Sequence, residues 1–150
     1  MRGTRRAIVG ADNLNVRQIG SMTPELHYLT YSVVLGLLLL IAASHAISTQ
    51  YGYAWTASNR DRPMPPLEGI AGRIDRALIN FSETFPFFAA LVLVAHVAGR
   101  DGALTLWGAR LYFWGRVVHA VASIAGYSLL RSLIWNVSFF GMVLFIAAML

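Results

Sequence analysis

Four apolar runs, each close to the length of a membrane crossing, constrain this chain more than any other feature. A helix needs about 20 mostly apolar residues to cross the hydrocarbon core, and only a helix or a closed barrel satisfies its backbone there. The runs extend over about 26–47, with VVLGLLLLIAA at its centre, then about 76–97, 103–125 and 133–150. The third is the least apolar and holds Arg110, Arg116 and His119. Connections at 99–102 and 126–131 are short, which makes spans two, three and four antiparallel neighbours. Residues 48–75 form a longer polar link, in which Asn59 to Pro66 reads as loop and Gly69 to Gly72 as helix entry. The fold expected is all-α: a four-transmembrane-helix bundle formed by a single domain over 22–150. Composition agrees, since 57% of residues are hydrophobic and 13% charged, where soluble domains carry about a quarter charged.

Several function classes are removed by what the chain lacks. It has no cysteine, so disulfides, thiolate metal sites and a cysteine nucleophile are excluded. No grouping of histidines and acids has metal-ligand spacing, and no metal is expected. The net charge of +5 raises nucleic acid as a partner, but its distribution argues against one. Arg2, Arg5, Arg6 and Arg17 lie in the first 21 residues against Asp12 alone, which leaves eight arginines against six acids in the rest. Residues 1–21 have no apolar core and are not a signal peptide; they read as a flexible tail or as the product of an early start codon, Met22 being the later one. Counted from Met22, Arg60, Arg62, Arg73 and Arg131 share one side of the membrane and Arg100 the other. The excess of basic residues on cytoplasmic loops then places the first loop in the cytoplasm.

Polar residues within the spans carry the functional signal. Arg76, Asn80 and Glu83 stand at i, i+4 and i+7 and so share one helical face. They either form a stabilising pair at the helix start or face a ligand. Charges at that depth are costly and usually turn toward a bundle interior. Arg116, His119 and Ser123 make a second set at i, i+3 and i+7, with Tyr112 on the same face. Arg116 either snorkels toward the interface or faces the first set, and its mid-span place favours the second. His119 is a ligand contact or a satisfied core histidine. Arg131, four residues before Trp135, has the form of an interface anchor.

Arg76-x-x-x-Asn80-x-x-Glu83 followed by Phe85-Pro86-x-Phe88 resembles the MAPEG family, the membrane-associated proteins of eicosanoid and glutathione metabolism. Arg73-x-x-Arg76-Ala, the segment Gly108 to His119, Gly126, and Arg131-Ser-Leu-Ile-Trp135 are similar to a bacterial branch of that family. The resemblance runs from about 22 to 150. It implies a homotrimer in the bacterial inner (cytoplasmic) membrane, with glutathione held between protomers near the first loop. Arg76, Asn80 and Glu83 would bind the glutathione, Arg73 would add an anion contact, and Arg116 and His119 would line the same site. Arg131 would stand in the catalytic position that stabilises the thiolate. Three positions depart from the family's tyrosines: Thr84, His119 and Ser123.

The function implied is a glutathione-dependent transferase or peroxidase acting on lipophilic electrophiles that enter from the membrane lipid. The departures at Thr84, His119 and Ser123 give weight to an alternative, a non-catalytic scaffold or accessory subunit with partner membrane proteins. A transporter is disfavoured by the absence of an inverted repeat and by the clustering of polar residues toward one end of the bundle.

Overall fold

The computed structural model describes residues 22–150; the tail expected over 1–21 lies outside them. Four long helices and one short one follow in order: α1 Pro24–Tyr51, α2 Tyr53–Thr56, α3 Gly69–Val97, α4 Ala103–Ala125 and α5 Ser128–Met149. α1, α3 and α5 are long and apolar enough to cross a membrane. α4 falls short of them in composition, as its arginines require, and the fold resolves this by enclosing it. Ten of its 23 residues are buried, against five of 28 in α1 and four of 22 in α5. The result is the all-α bundle expected from the apolar runs, with the most polar span in the middle. Leu37, Leu38 and Ile41 on α1 and Leu133 on α5 remain exposed on the outside, as lipid-facing residues should.

Two helices begin earlier than their apolar runs. α3 starts at Gly69, at the helix entry expected over 69–72 and ahead of the run that begins near Arg76, and α5 starts at Ser128, ahead of the expected Leu133. A helix is ended by its caps and breakers, not by the edge of the hydrocarbon, so it continues through polar residues beyond the apolar run. Arg73, Arg76 and Arg131 therefore sit on helix, with directions set by the helical period. The link from α1 to α3 is stitched down by side chains. Gln50 Nε2 donates to the Pro66 carbonyl at 3.3 Å and its Oε1 accepts from the Glu68 N–H at 3.2 Å. Tyr51 donates to the Pro65 carbonyl, and Trp55 Nε1 to that of Arg62 at 3.1 Å.

At the opposite end α1 and α4 both begin, so two positive helix termini lie close together. Glu25, in the first turn of α1 and 3% exposed, accepts a hydrogen bond from Thr105 Oγ1 at 2.7 Å. Thr105 accepts from the Gly102 N–H at 2.7 Å and so caps its own helix. A carboxylate beside these unsatisfied N–H groups is electrostatically favoured. The α3–α4 turn is closed there by His96 Nδ1 and Asp101 Oδ2, 2.7 Å apart.

α4 and α5 are held at backbone contact. A methyl placed on Gly108 would stand 2.6 Å from the Gly141 carbonyl oxygen, and one on Gly141 would stand 2.7 Å from that of Gly108. About two turns along, Gly115 faces the side chain of Ser138. Small residues at such spacing let membrane helices approach closely, and van der Waals packing then holds them. Around this seam Phe88, Val92, Tyr112, Met142 and Phe145 form one core cluster, and Leu39, Ala77, Phe81 and Ala120 another nearer the first loop. Phe88 stacks on Tyr112 with ring centroids 3.8 Å apart and planes within 10°.

Because the atoms opposed to Gly108 and Gly141 are backbone, neither can move aside. Gly108→Ala or Gly141→Ala is expected to destabilise the bundle by about 1–3 kcal/mol, read as a lowered Tm of the protein in detergent. Glu25→Ala is expected to cost about 1–3 kcal/mol, since it removes a buried charge-assisted hydrogen bond and the carboxylate beside two helix N-termini. Glu25→Gln, which keeps an acceptor, should cost less in the same measurement.

Candidate functional site

Near the end of the bundle that carries the first loop, α3 and α5 diverge over α4 and leave a cavity of about 670 Å³. This is within the usual range for small-molecule sites. One wall is the polar face of α3, with Arg73, Arg76, Asn80 and Glu83; the floor is His119, Ala122 and Ser123 of α4. The other wall is the turn Gly126–Tyr127 and the start of α5, with Arg131 and Trp135. Six of the seven residues singled out from sequence thus line one space.

The seventh, Arg116, does not. It is 1% exposed and lies behind the α3 wall. Its Nη1 donates to Asn80 Oδ1 at 2.8 Å and its Nη2 to Thr84 Oγ1 at 2.5 Å. Its guanidinium also sits 5.4 Å from the centroid of the Tyr112 ring, within cation–π range. Arg116 thus faces the first polar set, through Asn80, as its mid-span place suggests, but its side chain runs inward between α3 and α4 and is not among those that line the cavity. Thr84, one of the departures from the family's tyrosines, is buried with it as the second anchor of the same guanidinium.

The other arginines are held differently. Arg73 Nη1 donates to the carbonyls of Ile124 and Ala125, both at 3.4 Å, and so supports the C-terminus of α4. That approach depends on Gly126, whose φ of 92° is left-handed and whose missing side chain leaves room: a methyl there would stand 2.9 Å from the Arg73 guanidinium. Arg76 and Arg131 are exposed to the cavity. Among the described residues the one ion pair is His96–Asp101, at the far end of the bundle. None of Arg73, Arg76, Arg131 or Glu83 is therefore in an ion pair among the described residues. Three guanidinium groups and one carboxylate share the cavity, with the N-terminus of α5 at its rim, an arrangement that attracts an anion.

The floor carries unused hydrogen-bonding capacity. Ser123 Oγ is buried without a partner among the described residues. His119 is 4% exposed one turn before it. A buried polar group without a partner costs about 1–3 kcal/mol, a cost a bound polar molecule would relieve.

Ser128, Ser132 and Asn136 also line the cavity, and sequence reasoning did not assign them to it. A signal for them was present: they stand at i, i+4 and i+8 on α5, flanking Arg131 and Trp135, and so continue one polar stripe. It was missed because the helix was expected to begin at 133. No metal is implied by the donors present, since no group of three histidines or acids comes together among the described residues.

The sequence model of the MAPEG family matches residues 28–150, a span that includes every residue lining the cavity. No curated protein and no solved structure matches the chain. With a match that covers most of its length and an enclosed polar span in a four-helix membrane bundle, the protein belongs to the MAPEG family.

Proposed function

We propose that the cavity binds glutathione, or a small thiol of the same charge pattern, and activates it toward a lipophilic electrophile. The observation that carries this reading is the set of Arg73, Arg76, Arg131 and Glu83 around one space, none of them in an ion pair among the described residues. A ligand that neutralises it carries carboxylates for the arginines and an ammonium group for Glu83. Glutathione has two carboxylates, one ammonium, two amides and a thiol. Arg76 takes a carboxylate as a two-pronged partner, with Arg73 as a further cation. Glu83 accepts from the ammonium, and Asn80 and His119 hydrogen-bond the peptide groups.

Arg131 is assigned to the sulfur. A guanidinium beside a thiol stabilises the thiolate and raises the reactive fraction at neutral pH. The thiolate then attacks an electrophilic carbon, forming a C–S bond as the leaving group departs or an epoxide oxygen takes a proton. With a lipid hydroperoxide the sulfur attacks the distal oxygen, releasing the alcohol and a sulfenic acid. A second thiol converts that acid to the disulfide and water. The lipophilic substrate reaches the sulfur from the membrane lipid, and the open side of the cavity is closed by a neighbouring copy in a homotrimer.

A second reading, a non-catalytic scaffold for partner membrane proteins, is favoured by one observation. Thr84 is turned inward to Arg116, and no tyrosine hydroxyl closes over the cavity from α4, where His119 and Ser123 stand.

Addition of glutathione to the purified protein is expected to produce a saturable thiolate absorbance in the ultraviolet. Arg131→Ala should abolish that absorbance while binding survives, and Glu83→Gln should weaken binding by about tenfold or more, the worth of a charge-assisted hydrogen bond. Saturable binding with no thiolate signal at any pH near neutrality would favour the scaffold reading. No binding at all would overturn the assignment.

A further inference from the structure

Arg116 has a buried charge, two good hydrogen bonds and no place on the cavity wall. A guanidinium has five N–H donors and no acceptor. Whatever it touches must turn an oxygen toward it. Thr84 Oγ1 accepts from Arg116, and its own proton lies within reach of the Phe81 carbonyl at 3.2 Å and of the Tyr112 hydroxyl at 3.3 Å.

For Asn80 the consequence reaches the ligand. A free amide can present either its oxygen or its NH2 group, and the two are nearly equal in shape. Asn80 gives its Oδ1 to Arg116. Its Nδ2 is then turned away from Arg116 and has no protein partner among the described residues, on a side chain that lines the cavity. We propose that Arg116 is a positioning residue. It clamps the Asn80 amide so that Asn80 offers the cavity a donor and never an acceptor, and it does not itself touch the ligand. Asn80 thereby selects a carbonyl or carboxylate oxygen at that point of the bound molecule. The ligand half of this inference rests on the glutathione reading above; the clamp does not.

The two halves separate in Asn80→Asp. A carboxylate can only accept, so it keeps and strengthens the contact with Arg116 while removing the donor to the ligand. The variant is expected to have a Tm at or above that of the wild type and an affinity for glutathione lowered at least tenfold. A double-mutant cycle gives the coupling. Arg116→Gln should weaken glutathione binding about tenfold when Asn80 is present, and change it less than about twofold when Asn80 is already alanine.

Equal losses in the two backgrounds would mean that Arg116 contacts the ligand or acts on it by charge, and would overturn the proposal. A lowered Tm in Asn80→Asp, or an unimpaired affinity, would overturn it as well. If Arg116→Gln does not fold, the Asn80→Asp protein decides alone on those two readings. If the wild-type protein binds no glutathione, the function proposed above falls, and the Tm of Asn80→Asp still decides the clamp.

Discussion

A charged span can cross a bilayer only if its charge is hidden, and α4 is organised around that requirement. Arg116 near its middle is buried with no ion-pair partner among the described residues, held by an amide oxygen, a hydroxyl and an aromatic face. Each of these comes from a residue that could not otherwise be placed there cheaply. Asn80 and Thr84 are polar groups one turn apart on α3, and Tyr112 is one turn earlier on α4. One guanidinium fork satisfies both α3 groups and fixes the register of α3 against α4. The glycine seam fixes α5 against α4. The shape of the bundle at its functional end then follows: α3 and α5 are each tied to α4 and diverge above it.

That divergence creates the cavity and also determines its charge. The arginines that line it cannot pair with one another, and the single carboxylate among them, Glu83, is not in an ion pair. Burying such a set with no partner would be costly in a membrane protein. Leaving it open to a ligand of opposite pattern is the arrangement with the lower cost. Thr84 and Arg116 lie behind the α3 wall and brace it.

Much of the fold was legible in the sequence because membrane spans are written in simple composition. The four apolar runs gave the four long helices, and the short links gave their antiparallel order. Helix ends were not legible from the same signal: α3 begins seven residues before Arg76, and α5 five before Leu133, since hydropathy marks the hydrocarbon and not the helix. The site was legible as a face, because helical period places Arg76, Asn80 and Glu83 together. Period alone could not say whether Arg116 pointed to the cavity or behind it, a choice made by packing between α3 and α4. The stripe Ser128, Ser132, Asn136 was hidden for a related reason, its first members falling outside the expected helix.

On the function proposed, the charges around this cavity are matched by an anionic ligand bearing one cation. The most direct measurement is the affinity of glutathione for the purified protein as ionic strength is raised. Saturable binding that weakens steadily with salt is expected, because the contacts are charge-assisted and open to screening. Binding that is indifferent to salt, or no saturable binding at low ionic strength, would contradict it.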